Sequence, residues 1–146
     1  VAALSRAAGD AIATYITATF PEVETSEAFG YTFFFYGPDR MLPFATLAAS
    51  DNDHDRVSNL DRPGVYRLNI GVGRKTFQSL FGSEGVVLGD HDFTAIDRIM
   101  PHPEYAAQSF VCVLNPGENT LQTVQGLLAE AHALAAQRHA RRDKPE

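Results

Sequence analysis

The sequence predicts an α+β domain in two layers, with helices packed on one face of a mainly antiparallel, curved sheet. Short segments of alternating apolar residues are separated by turn signals such as Pro63-Gly64 and Gly37-Pro38, which is typical of antiparallel strands. A long amphipathic helix closes the chain, and another helix opens it. Because the strands are joined by tight turns, the helices are expected to gather on one face of the sheet.

The length of 146 residues fits a single domain, with a core over about residues 10–139 and a flexible tail over 140–146. A hydrophobic content of 45% and a charged content of 21% are those of an ordinary globular protein. The net charge of −6 argues against a nucleic-acid surface, which needs a basic patch.

The single cysteine excludes an internal disulfide framework and fits the cytoplasm. No apolar run approaches the ~20 residues of a membrane span, and no apolar leader opens the chain.

The first half of the chain predicts a helix followed by a hairpin. Helical spacing covers residues 4–19, and the reliable part starts at the N-cap candidate Asp10 because Gly9 weakens what precedes it. An acidic connector with a short central strand follows at 22–30. The aromatic run 31–36 is a strand that is apolar on both faces, and its partner is 44–50.

The rest of the chain is organised around residues 61–82. Here a strand with alternating apolar residues is followed by a short helix that ends at Gly82. After a glycine-rich loop with an extended piece at 86–88, the pattern predicts a short helix at 93–100, an apolar strand at 109–114 and a long helix. Asn119 and Gln122 resemble a capping box for that helix, and 138–146 resembles a frayed tail.

Most candidate motifs in the sequence are incomplete. The alternating residues Asp51, Asp53 and Asp55 lack the glycine and the final glutamate of a calcium loop, so a solvated loop is favoured. The glycines at 71 and 73 lack the rest of a phosphate-binding fingerprint, although basic residues at the following helix N-terminus would need a compensating anion. Cys112 lies within an apolar strand, which favours an inert core thiol.

The most site-like feature is the polar face of the strand near residue 67. Arg67 and Asn69 alternate with apolar residues, and a strand-borne arginine suits bidentate recognition of a carboxylate or phosphate. We expect ligand binding by Arg67 and Asn69, with Arg62 and His102 as neighbours. The alternative is that Arg67 pairs with one of the protein's own carboxylates. His102, between two prolines, is better suited to a structural or capping role than to catalysis.

Several segments resemble a family of small bacterial domains of unknown function, and the likeness spans about residues 12–139. The segments are RPGV at 62–65, RLNIG at 67–71, HP at 102–103 and VLNP at 113–116. More distantly, the layout is similar to the YjbR-like (MmcQ-like) group. That resemblance implies a curved antiparallel sheet between an opening and a closing helix, in a double-wing shape that has been suggested to contact DNA.

The leading functional prediction is a non-enzymatic domain that binds a small molecule or a protein partner on the polar sheet face. No catalytic motif, metal motif or cofactor motif accompanies that face. The alternatives are a DNA-binding accessory protein and a cryptic hydrolase or resistance enzyme that uses His102. A homodimer through the aromatic strand 31–36 is a further possibility.

Overall fold

A six-stranded antiparallel sheet forms the centre of the computed structural model, which describes residues 2–38, 40, 42–82 and 91–142. In the sheet the strands follow the order β1-β2-β3-β4-β6-β5. The strands β1 to β6 span Val23–Ala28, Tyr31–Tyr36, Ala45–Ala48, Arg67–Gly71, Met100–Pro101 and Phe110–Leu114. The helices α1, α2 and α3 span Ala2–Thr19, Arg74–Phe81 and Leu121–Arg142. The predicted α+β fold, with an opening helix and a long closing helix, is confirmed.

The main core lies between the sheet and the helices. The alternating residues of β4 and β6 that face this side are buried, and α1 contributes Ile12 and Ile16 to the same cluster. The stripe of α3 that packs on them consists of Val124, Leu127, Leu128, Ala131 and Ala135. Each fully buried aliphatic side chain contributes about 1.5–3 kcal/mol, so this face supplies most of the hydrophobic stabilisation.

The opposite face of the sheet is covered by loops instead of helices. A smaller apolar cluster there contains Leu60 and Val65 from the loop before β4, together with Met100, Cys112 and Leu114. Because Arg67 and Asn69 alternate with the core residues of β4, they point to this loop-covered face. The sheet is therefore buried on both faces around β4.

The start of α1 differs from the prediction. The helix begins at Ala2, so Asp10 is an interior residue of the helix and the predicted N-cap is wrong. A Cβ on Gly9 would lie 2.9 Å from Leu47 Cδ2, so glycine allows this helix to approach the sheet closely. The acidic connector, in turn, contains a full strand of six residues, β1.

The segment before β6 also differs. The predicted helix at 93–100 is wrong, because backbone groups of this segment pair with β6 instead of forming helical hydrogen bonds. Asp97 N donates to Leu114 O, and Met100 lies opposite Cys112. The predicted capping box is wrong as well, since Asn119 N donates to Asp97 Oδ2. The extended piece at 86–88 lies outside the described residues.

The closing helix extends into the predicted tail. α3 continues to Arg142, and residues 143–146 lie outside the described part of the chain. The limits of the domain core stay a prediction. Within the described residues, the helices are too short or too polar to cross a membrane.

Candidate functional site

Arg67 is completely buried on β4, although its side chain carries a full charge. Its Nε donates to Asn69 Oδ1 at 3.0 Å, and Nη1 donates to Ser58 Oγ at 3.0 Å. Nη1 also donates to Asp55 Oδ1 at 3.1 Å, and Nη2 donates to Asp55 Oδ2. The guanidinium is thus held in a bidentate ion pair, so the alternative prediction that Arg67 pairs with one of the protein's own carboxylates is what the geometry shows.

This buried network links the loop before β4 to three strands. Tyr31 on β2 donates its hydroxyl to Asp55 Oδ2 at 2.7 Å, and Asn69 Nδ2 donates to Thr46 Oγ1 on β3 at 2.9 Å. Asp55 comes from the loop, so its carboxylate fastens that loop across the sheet. We call Tyr31, Thr46, Asp55, Ser58, Arg67 and Asn69 the Arg67 network.

The electrostatics of the network favour the ion pair. Burial alone would raise the pKa of Asp55, but the hydrogen bonds and charge of Arg67 outweigh it and leave that pKa below its usual 3.8. Burial, followed by the hydrogen bond to Asp55, raises the pKa of Tyr31 to about 12. Asp55 is therefore ionised and Tyr31 is neutral at physiological pH.

His102 lies beside the network without a hydrogen bond to it in the described structure. Its Nδ1 accepts hydrogen bonds from Glu104 N and Tyr105 N, both at 3.0 Å, so the ring caps the turn after β5. Burial, followed by the charge of Arg67, lowers the pKa of His102 to about 3. The predicted capping role is confirmed, and the ring is neutral with its proton on Nε2.

Arg62 ties together the two loops that cover this face. Its guanidinium donates to the carbonyl oxygens of Asn59, Ser58 and Thr94 at 2.9, 3.0 and 3.0 Å. Of the four predicted ligand-binding residues, Arg67 and Asn69 are in contact, Arg62 reaches the network through Ser58, and His102 caps its own turn. Ligand binding by these residues stays a prediction.

Two further motifs are occupied by the protein's own side chains. Glu130 of α3 accepts from Gly73 N at 2.7 Å and from Thr76 Oγ1 at 2.6 Å, so its carboxylate fills the N-terminus of α2. This is the compensating anion that the basic residues there require.

In the aspartate loop, Asp51 accepts from Leu60 N at 2.8 Å, while Asp53 pairs with Arg56 at 3.3 Å. Within the described residues, no three acidic, histidine or cysteine side chains converge as metal ligands would. Cys112 is buried, and burial raises the pKa of its thiol to about 12, as an inert core thiol requires.

A concave surface lies where the sequence indicated no site, between α1 and the β1–β2 hairpin. A groove of about 530 Å³ has a floor that includes the buried residues Phe34 and Leu47. Its walls carry polar side chains from both elements, namely Arg6, Asp10, Thr14, Thr17, Thr25, Glu27 and Thr32. A second concavity of about 530 Å³ shares Thr17 with the first and includes Glu22, Glu24 and Gly37. We call the two together the α1–β1 trough.

One sequence signal could have identified the trough. Thr25 and Glu27 lie opposite Phe34 and Thr32, so they point to the helix-covered face, where a core strand would carry apolar residues. Within the described residues, no hydrogen bond or ion pair engages the side chains of Arg6, Asp10 or Glu27. The trough therefore presents charged groups that the fold itself does not use.

The comparisons with known proteins give a family but no function. A family model described as a family of unknown function (DUF6194) matches residues 7–144. No curated protein and no solved structure matches the chain.

Proposed function

Because the chain belongs to the DUF6194 family, whose description states no function, we propose from the geometry that it is a binding domain with its ligand site in the α1–β1 trough. The observation that carries this proposal is a concave surface of ligand size with an apolar floor and unengaged charged walls. The Arg67 network, by contrast, satisfies its own charges.

The lining of the trough indicates the chemistry of the ligand. The charged side chains of the larger groove are those of Arg6, Asp10 and Glu27, so carboxylates predominate, and threonine hydroxyls supply neutral hydrogen-bonding groups. Phe34 and Leu47 offer an apolar surface beneath them. We therefore propose a ligand with a cationic group on a partly apolar body.

A thermal-shift screen with amines and amino-acid amides tests this proposal. A ligand at about 100 times its dissociation constant stabilises the folded protein by about 2.7 kcal/mol, which raises the melting temperature measurably. We expect cationic ligands to stabilise the parent protein and to lose this effect in Glu27→Gln. The matched control is Glu118→Gln, which removes an exposed carboxylate outside the trough and should respond as the parent does. Equal responses in both variants would refute the site.

The sheet face around Arg67 is the second candidate, as the sequence predicts. What supports it is that the counter-charge of Arg67 comes from a loop, so a ligand carboxylate or phosphate could replace Asp55 when that loop opens. In Asp55→Asn the competing anion is gone, so inorganic phosphate should stabilise this variant more than it stabilises the parent. If phosphate stabilises the two proteins equally, the anion site at Arg67 is excluded.

The YjbR-like relationship and the DNA contact suggested for that group stay predictions. The net charge of −6 and the carboxylates of the trough weigh against a DNA surface. Short duplex DNA belongs in the same screen, where a salt-sensitive stabilisation would favour the DNA-binding alternative.

A further inference from the structure

The two edges of the sheet are built differently. β5 consists of two residues and ends in Pro101, which is how natural sheets close an edge against further pairing. β1, at the other edge, has six residues and contains no proline. Within the described part of the chain, no strand or loop is hydrogen-bonded to the outer side of β1.

The register identifies the backbone groups that face outwards. Phe44 N donates to Phe34 O, so Phe34 turns its backbone towards β3 and its neighbours Phe33 and Phe35 turn theirs towards β1. Ser26 lies opposite Phe33, and Glu24 lies opposite Phe35, so these residues bond to β2. The N–H and C=O groups that face outwards therefore belong to Val23, Thr25 and Glu27.

The same three residues direct their side chains to the trough. Thr25 and Glu27 line the larger groove, and Val23 lines the smaller one. A strand added to the outer edge of β1 would place every second side chain on this same side of the sheet. Those side chains would meet the carboxylates of Asp10 and Glu27, which line the larger groove. Glu24 points to the opposite face of the sheet and pairs with Arg40 there.

We propose that β1 accepts an extended segment of a partner protein, with lysine or arginine at alternate positions, as a seventh strand of the sheet. This proposal rests on the proposed function, because the trough receives the cationic side chains. Main-chain hydrogen bonds to the outward groups of β1 supply affinity, and the trough supplies specificity. A second copy of this chain fits less well, since its β1 carries two glutamates and no basic residue, and would add negative charge to an edge that is already lined by carboxylates.

The test uses a fluorescent peptide of alternating lysine and valine, as long as β1, and measures binding by anisotropy. Two control peptides carry the same charge but have N-methyl groups on one or the other alternating set of amides. One of the two removes the hydrogen bonds that face β1, and that peptide should bind about tenfold more weakly or worse. A peptide of alternating glutamate and valine should not bind, and the binding of the lysine peptide should weaken with salt.

Variants of the full chain locate the contact. Thr25→Pro removes an outward N–H that takes no part in pairing with β2. This variant should bind the lysine peptide about tenfold more weakly than the parent, or worse. Thr25→Val loses the same hydroxyl but keeps that N–H and the branched shape, so it should bind the lysine peptide clearly more tightly than Thr25→Pro does. Glu27→Lys should reverse the preference towards the glutamate peptide, which keeps the proposal testable if Thr25→Pro fails to fold.

The outcomes separate this inference from the proposed function. Suppose that cationic amides bind in the trough, that the lysine peptide binds no more tightly than they do, and that N-methylation does not change its affinity. Strand addition is then refuted and the small-molecule site stands. If neither binds, both are refuted. A dimer of the protein alone that Thr25→Pro dissociates in sedimentation would identify a second copy as the occupant and overturn the basic segment.

Discussion

Arg67 is a charged residue at a position where β-strands usually carry core side chains. A buried ion pair is expensive to desolvate, so the pair itself adds little net stability, but removing one partner leaves the other charge uncompensated. We expect Arg67→Ala to lower the free energy of unfolding by about 3–5 kcal/mol, measured by urea denaturation.

The double variant Arg67→Met with Asp55→Leu is the control for that prediction. It removes both charges and keeps apolar bulk, so it should lose clearly less stability than Arg67→Ala. An Arg67→Ala protein as stable as the parent would contradict a structural ion pair and leave Arg67 available for a ligand.

His102 gives the fold a specific sensitivity to acid. In the unfolded chain the pKa of His102 is 6.5, whereas in the native protein it is about 3. Between these values the unfolded state holds more protons, so stability falls as the pH falls, by up to about 1.4 kcal/mol per pH unit. The contribution of Asp55 is fully present above its unfolded pKa of 3.8 and is lost as the pH falls below that value towards its lower native pKa.

His102→Asn should remove this pH dependence of stability and keep the capped turn after β5. Asparagine Oδ1 can replace Nδ1 as the acceptor for Glu104 N and Tyr105 N, and it does not titrate. Urea denaturation between about pH 7 and about pH 4 should therefore show a flatter decline for the variant than for the parent. Parallel declines would assign the acid sensitivity to other groups.

At the scale of elements, the turn between β1 and β2 is strained. Ala28 pairs with Tyr31, so the two loop residues are Phe29 and Gly30, with φ of 55° and 81°. This is the left-handed geometry of a type I′ hairpin, whose first position favours asparagine and disfavours a bulky side chain. Phe29 is also 86% exposed, so no burial compensates for the strain.

We expect Phe29→Asn to stabilise the protein by about 1 kcal/mol in urea denaturation. Phe29→Ala is the control, because it removes the ring but keeps a side chain that disfavours positive φ, and it should give no such gain. Phe29 lines the trough, so the asparagine variant should also bind the lysine peptide more weakly. A variant that is less stable than the parent would show that the ring has packing contacts in solution.

Local sequence patterns predicted the elements whose signals are strong. The strand 31–36 has the predicted bounds, α2 ends at the predicted Gly82, and β6 begins within one residue of the predicted start. The failures occurred where distant residues decide the structure. Gly9 lies inside α1, where a side chain would collide with Leu47 of the sheet. Residues 93–100 are not helical because part of their backbone pairs with β6.

At the scale of the whole molecule, the protection of backbone amides should decrease from the centre of the sheet to the edge at β1. We expect amide hydrogen exchange to be slowest in β4 and β6, which are buried on both faces. In β1 the exchange should alternate, fast at Val23, Thr25 and Glu27 and slower at Glu24 and Ser26. Uniform protection along β1 would mean that another chain already covers this edge.

The candidate site was less predictable than the fold. Alternation identified Arg67 and Asn69 as neighbours on one face, but it could not show that a loop carboxylate twelve residues earlier in the chain pairs with the arginine. The position of the trough could not be derived from the sequence, because the trough lies between two elements and the spacing of residues within each element does not fix the distance between them. Only the polar residues of β1 on the helix side hinted at it.

The proline at the end of β5 sets a limit on assembly. A partner that joins the sheet at β1 leaves the far side of the sheet closed, because β5 offers only two residues and one of them has no N–H. If a partner segment joins β1 as proposed, the described part of the sheet offers no second edge for the same addition. We therefore expect a complex of one segment with one molecule, and no head-to-tail filament of this chain.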